Sequence, residues 1–205
     1  MNATNPRSAF FDVIAHQWDG WHDLPALEVQ LASDLASMGV ASGEVVVDVG
    51  CGTGNLVKAL LRVVGPGGRV VALDISPEML RVAREKNADG RVSWHLGDAT
   101  ALPLDDGSAD RIFYMCVWPH LETPREVIGE ARRVLLPGGR LHVWHLISRE
   151  KVNEVHAAGG EAIRNDQLPP ANEAAQLLEE GGFEVFQAID DEQRYLVSAV
   201  KRSDR

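Results

Sequence analysis

The sequence predicts a doubly wound α/β fold, and three observations carry that prediction. Short apolar runs alternate with amphipathic segments of helical spacing along most of the chain. The first of these runs leads straight into glycines at every second position, Gly50, Gly52 and Gly54. The next two runs end in aspartates, Asp74 and Asp98.

The elements follow in order. Phe10, Phe11, Ile14 and Trp18 recur at near-helical spacing and predict a helix over 8–20 with an aromatic face. Leu24, Leu27, Leu31, Leu35 and Met38 predict a second helix over 24–38, ended by Gly39. Glu44 to Val49 is nearly continuous apolar sequence, as in a strand buried on both faces of a parallel sheet. Asn55 to Val64 reads as a helix, Gly65-Pro66-Gly67-Gly68 as a turn, and Arg69 to Leu73 as a strand ending at Asp74. Pro77 to Asn87 is a helix with Ser76 as its N-cap and proline at its first position. Val92 to Leu96 and Ala109 to Val117 are the third and fourth strands. A helix over Arg125 to Val134, closed by Pro137-Gly138-Gly139, precedes a fifth strand, Arg140 to Ile147. Residues 148–170 read as a long lid or substrate loop. Asn172 to Glu180 is a helix closed by Gly181-Gly182, and Phe183 to Ile189 with Arg194 to Val200 form an antiparallel hairpin.

The expected architecture is one domain over 1–205, with a seven-stranded, mostly parallel sheet whose last strand is antiparallel. A helical N-terminal cap spans 1–40, a ligand-binding core 43–147, the lid 148–170, and the last helix and hairpin 171–201. Only Met1 to Arg7 and Lys201 to Arg205 are expected to be unstructured.

Composition narrows the function. The formal net charge is −10, which repels polyanions, so nucleic acid and anionic membrane surfaces are poor partners. Arg132, Arg133 and Arg140 are close in sequence but read as a solvated helix end. No run is long and apolar enough to span a bilayer, and no leader is visible, so a cytoplasmic location is expected. Cys51 and Cys116 lie in no metal-binding spacing and are expected to remain thiols.

The glycine loop carries the strongest signal. Glycine lets the chain turn sharply and lets a ligand approach with no Cβ in the way. Ligands of such sheets bind at the carboxyl ends of the strands. A dinucleotide fingerprint reads GxGxxG, whereas the third glycine here comes one residue early and Asn55 holds the later position. Asp74 follows about twenty residues after the loop, where a carboxylate accepts both ribose hydroxyls of an adenosine. Asp98, within Gly97-Asp98-Ala99, is placed to read an adenine edge.

This constellation resembles the class I S-adenosylmethionine-dependent methyltransferases. Asp48 to Gly54 is similar to their cofactor loop, Leu73 to Leu80 to their ribose segment, and Gly97-Asp98-Ala99 with Leu102-Pro103 to their adenine segment. Ala109 to Ile112 resembles their fourth-strand entry, and Glu130 to Gly139 the helix and turn before their fifth strand. The pattern is nearest the small-molecule branch that includes the ubiquinone and menaquinone biosynthesis enzymes. The resemblance implies a Rossmann-like fold and S-adenosylmethionine as cofactor. It implies that Gly50, Gly52 and Gly54 face the methionine part of the cofactor, with Asp48 and Cys51 cofactor-binding residues of the same loop and Cys51 there for its small size. Asp74 would hold the ribose, Ile75 and Met79 would pack on the adenine, and Asp98 and Ala99 would read its edge. Backbone near Met115 would approach the methionine amino group.

The acceptor side is less sharply marked. His120 follows the fourth strand, His145 ends the fifth, and His156 lies in the segment after it. His16 and His22 bracket the aromatic N-terminal stretch. Two functional readings are open: a general base, best sought at His120 or His145, or a divalent metal held by several histidines. No HxH or HxxxH pair fixes ligands, so no metal residue is assigned, and hydrogen-bonded structural histidines are the alternative. Strand alternation sets His142 and His145 on opposite faces. Trp18, Trp118, His22 and His156 are candidate substrate-binding residues, with core packing the alternative for Trp18, Trp21, Trp118 and Trp144. The amino-methylating motif of DNA enzymes is absent after the fourth strand, where Trp118-Pro119-His120 stands. The expected partner is therefore a small-molecule methyl acceptor, bound by a monomer or homodimer.

Two rivals remain in view. A nicotinamide-dependent oxidoreductase needs GxGxxG and a Tyr/Lys pair, and neither Tyr114 nor Tyr195 has a lysine three or four residues on. A non-catalytic cofactor-binding module would keep the glycine loop and lose the substrate pocket.

Overall fold

The computed structural model describes residues 5–203. Its strands are β1 (Val45–Val49), β2 (Arg69–Asp74), β3 (Val92–Leu96), β4 (Ala109–Met115), β5 (Leu135–His145), β6 (Phe183–Asp190) and β7 (Tyr195–Lys201). Its helices are α1 (Pro6–Trp18), α2 (Leu24–Ser37), α3 (Asn55–Val64), α4 (Pro77–Lys86), α5 (Pro124–Val134), α6 (Arg149–Ala157) and α7 (Ala171–Glu180). The strands form one sheet in the order β3-β2-β1-β4-β5-β7-β6, mostly parallel with β7 reversed. The chain divides into two compact units, Met1–Asp98 and Ala99–Arg205.

In the first unit β1, β2 and β3 pair in parallel, with Val49 beside Leu73 and Asp74 beside Leu96. β1 and β2 are buried because their runs of valine, alanine and leucine are covered on both faces. α2 packs on α3 and α1 on α4. Ser76 caps α4 as expected, its Oγ accepting from Met79 N at 3.1 Å, with Pro77 at the first position. The aromatic helix ends at Trp18, and Asp19–Trp21 continue it as a 3-10 turn.

In the second unit β4 and β5 are parallel, and β7 lies antiparallel between β5 and β6. α7 packs on β6 and β7. The Pro137-Gly138-Gly139 turn expected to close α5 lies inside β5 instead. α5 passes straight into extended backbone at Leu135, and residues 136–139 bulge while β4 advances from Ala109 to Arg111. Gly139 is required there: a Cβ would meet Leu136 O at 2.9 Å and Asp110 O at 3.2 Å. Three further expectations are corrected. β4 stops at Met115, because Cys116 turns to φ +58°. The presumed loop 148–170 holds α6, capped by Ser148, whose apolar Val152 and His156 face inward. Pro6 and Arg7 open α1 and Lys201 closes β7, so those parts of the ends are ordered; residues 1–4 and 204–205 lie outside the described residues.

Arg132 and Arg133 do not form a basic patch together. Arg133 bonds Glu130, Asp106 and the carbonyls of Leu102 and Leu104, pinning the segment before β4 to α5. No helix among the described residues is long and apolar enough to cross a membrane.

Candidate cofactor site and histidine cluster

The glycine loop leaves the carboxyl end of β1 with three residues in the left-handed region, Gly50 (φ +71°), Gly52 (φ +52°) and Gly54 (φ +79°). The backbone N–H groups of Gly50 and Cys51 donate to Leu73 O at 2.8 and 3.0 Å, which folds the loop across the end of β2. The three glycines differ in role. A Cβ on Gly52 would meet nothing within 4 Å, so the open face of the loop lies there. A Cβ on Gly54 would meet Asn87 Nδ2 at 2.7 Å and the side chains of Ala83 and Trp94, so that glycine seats α3 against α4.

Asp74 is buried, and its carboxylate accepts from Gly52 N and Ser76 N, each at 2.8 Å. Burial raises its pKa, and those backbone donors oppose the rise. Its carbonyl accepts from Gly97 N at 3.0 Å, which brings Gly97 to the end of β2, next to Asp98. Asp98 itself is exposed and Ala99 buried. Ile75 is half-buried, whereas Met79 is 2% exposed and belongs to the core beneath the loop.

Asp48 stands out. It is 1% exposed, and neither carboxylate oxygen has a hydrogen-bond partner. Desolvation, reinforced by Asp74, pushes its pKa up to about 8. An orphaned carboxyl beside a glycine loop with open space at Gly52 fits a ligand that brings a donor or a positive charge. Cys51 is buried, and burial holds its thiol well above the ordinary range, so it is small filler and no nucleophile.

Sequence reasoning missed how the N-terminal segment is attached. Ser8 Oγ donates to Ile75 O at 2.9 Å, and Asp12 accepts from Ser76 Oγ and from Glu78 N. Asp19 accepts from Thr53 Oγ1 at 2.6 Å, from Asn55 Nδ2 and from Lys86 Nζ. Burial alone would raise the Asp19 carboxyl, but these bonds outweigh it and hold the group below its usual value. The cap is thus tied to both the loop and the ribose segment. Trp18 packs against Trp21 and His22, with ring centroids 5.5 and 6.3 Å apart. His22 and Trp21 are exposed.

In the second unit three histidines gather at the carboxyl ends of β4 and β5. His120 sits in a 3-10 turn, Trp118–His120, with Nδ1 at 2.7 Å from Asp166 Oδ2. His156 on α6 donates from Nδ1 to the main-chain O of Asp166 at 2.8 Å. Its ring centroid is 4.7 Å from that of His120. His145 is 2% exposed, its Nε2 has no partner, and it stands edge-on to Tyr195, whose buried hydroxyl also has none. Burial first, then the neighbouring His120 and His156, push its pKa down to about 3. Trp118 is buried with its ring edge-on to Tyr114. Trp144 is core, and Met115, beside it in the sheet, is half-buried. His142 has a separate environment, as strand alternation requires: Nε2 is 2.8 Å from Arg111 and Nδ1 2.9 Å from Ser198 Oγ. Asp166, distant from His120 in sequence and in no motif, carries no sequence signal.

Residues 47–143 match the methyltransferase domain family, a span that takes in the glycine loop, Asp74 and the helix before β5. Over that span the chain carries a methyltransferase domain. Among its methyltransferase relatives is the ubiquinone/menaquinone biosynthesis C-methyltransferase UbiE of Hahella chejuensis, 34% identical over 65% of this chain and 56% of its own length. Methyltransferase GfsG of Streptomyces halstedii is 32% identical over 74% of this chain and 56% of its own length. A Haloferax volcanii methyltransferase, solved in complex with the Trm112 methyltransferase activator, aligns over 99% of both chains with a TM-score of 0.79 and 26% identity. The chain spans from about a third to somewhat over half the length of the first curated relatives it matches, 31% to 56%. The methyltransferase cofactor, S-adenosylmethionine, carries a positive sulfonium and an amino group, which suits the unpaired Asp48 and the loop that opens at Gly52.

Proposed function

We propose that the protein transfers the methyl group of S-adenosylmethionine to a small-molecule acceptor, in the cytoplasm. The observation that carries the reading is the pair of carboxylates around the glycine loop, Asp48 buried without a partner and Asp74 at the end of β2. When bound, the cofactor supplies an electrophilic methyl group. Asp74 would hold the ribose, with Ile75, Met79, Asp98 and Ala99 at the adenine and Gly52 at the methionine part. Asp48, Gly50, Cys51, Gly54 and the backbone at Met115 would surround the methionine part. The net charge of −10 supports an uncharged or cationic acceptor over a polyanion.

His120 is the better of the two candidate bases. His145 is nearly fully buried, and a conjugate acid with pKa near 3 makes it a weak proton acceptor at neutral pH. His145 then serves the acceptor as a hydrogen-bond partner, with His156, Trp118, Trp18 and His22 as candidate contacts. The test is calorimetric titration with S-adenosylhomocysteine, with an NADH control. Saturable binding is expected, weakened about 10- to 100-fold in Asp74→Ala, as the loss of hydrogen bonds to a charged group implies. NADH binding in place of S-adenosylhomocysteine overturns the reading.

The full-length match to a Trm112-bound methyltransferase supports a second reading, in which a small activator protein completes this enzyme as well. Size-exclusion chromatography with purified Trm112 distinguishes the two. Co-elution supports the activator, and elution of this chain as a lone monomer or homodimer supports the simpler form.

A further inference from the structure

We propose that Asp166 is a positioning residue that holds His120 as the proton acceptor for an acceptor molecule bearing a hydroxyl group. The inference rests on the methyltransferase reading above. Its basis is that one residue fixes two imidazoles. The Asp166 carboxylate takes His120 Nδ1 at 2.7 Å and its main-chain carbonyl takes His156 Nδ1 at 2.8 Å. The side chains of His120 and Asp166 are only 9% and 6% exposed, so little solvent screens the pair. The partners come from three places, the turn after β4, α6 and the segment following α6.

A carboxylate at Nδ1 selects the Nδ1–H tautomer, leaves Nε2 as the basic nitrogen, and stabilises the imidazolium that forms when Nε2 takes a proton. A second observation points to a ligand at this cluster. His145, 2% exposed at the carboxyl end of β5, keeps an Nε2 with no partner. A hydroxyl entering the cluster would give that nitrogen a partner. The step balances as follows. The acceptor O–H bond breaks and its proton passes to His120 Nε2. The oxygen, or the carbon conjugated with it, forms a bond to the methyl carbon. The electron pair of the broken C–S bond stays on sulfur, which becomes a neutral thioether. The imidazolium, paired with Asp166, then releases its proton to solvent.

The experiment compares wild type with Asp166→Asn, which keeps the shape and removes the charge. His156 from α6 and His145 from β5 also face this ring, so His156→Gln is run beside it. Calorimetry with S-adenosylhomocysteine is expected to give the same affinity within about threefold in all three proteins. Nitrogen NMR of the histidine rings is expected to show His120 as the Nδ1–H tautomer, with its titration midpoint lowered in Asp166→Asn. Turnover of S-adenosylmethionine with a panel of phenols and hydroquinones is expected to lose about 10²- to 10⁴-fold in kcat, with KM little changed. His156→Gln is expected to keep the wild-type pH midpoint. Wild-type kcat in a folded Asp166→Asn that still binds S-adenosylhomocysteine overturns the proposal. So does turnover abolished by a chelator and restored by a divalent cation, or binding of S-adenosylhomocysteine with no phenol or hydroquinone methylated. If wild type binds no S-adenosylhomocysteine, the methyltransferase reading fails, and the His120 tautomer still decides whether Asp166 positions it.

Discussion

At the scale of single residues, burial decides which titratable groups matter. Asp48 has no donor, so desolvation lifts its carboxyl to about 8, far above the ordinary 3.8. A group raised in the folded state stabilises below its unfolded pKa and loses that contribution as pH rises to the folded one. The ligand-free protein therefore loses stability through Asp48 between about pH 4 and 8. Urea denaturation of Asp48→Asn against wild type is expected to show an advantage for the variant that grows across that window. His142 behaves in the opposite sense. Its neutral ring accepts from Arg111 and donates to Ser198, and burial first, then Arg111 and Arg140, depresses it to about 3. Its contribution is complete above pH 6.5 and is lost as pH falls toward 3. His142→Asn is expected to flatten the acid limb of the same denaturation series, while lowering stability near neutrality.

Between elements, glycines and caps do the positioning. Gly54 begins α3 at φ +79° with Asn87, Ala83 and Trp94 packed over its Cβ position. Gly54→Ala is expected to cost roughly 2–4 kcal/mol in thermal or urea denaturation, combining left-handed strain with overpacking. Gly52→Ala has strain but open space, so it is expected to cost only about 1 kcal/mol and to reduce binding of S-adenosylhomocysteine more than stability. Asp19 links the turn after α1 to Thr53, Asn55 and Lys86. Asp19→Ala is expected to cost about 1–2 kcal/mol and to raise hydrogen exchange across α1 before other helices. Alternation and helical spacing read these elements well, and among the described residues every strand and every α-helix except α6 was foreseen. The exceptions are physical. α6 has only nine residues with two of them buried, too weak a stripe to stand out beside its polar neighbours. The β5 bulge uses the same Pro-Gly-Gly chemistry as a closing turn, and only pairing with β4 tells the two apart.

For the whole molecule, ligand linkage gives the simplest check. S-adenosylhomocysteine at about a hundred times its Kd stabilises the folded chain by about 2.7 kcal/mol. For a chain of 205 residues that converts to a rise in Tm of about 5–10 °C, measured by differential scanning fluorimetry. The high negative charge predicts little salt-sensitive retention on nucleic acid columns, which a gradient elution would check.

By itself the sequence determined the alternating α/β order, the glycine turn and the aspartates at successive strand ends. These are local facts: backbone freedom at glycine, the period of apolar residues, and the chain direction from strand to loop. What only the tertiary structure decided were the partnerships across sequence distance. Asp166 meets His120, Asp19 meets Lys86, His142 meets Arg111 and Ser198, and Asp48 is left with no partner at all. Such pairings depend on which side chains the packed core brings within hydrogen-bond reach and which it strips of water, and no local pattern along the chain encodes either.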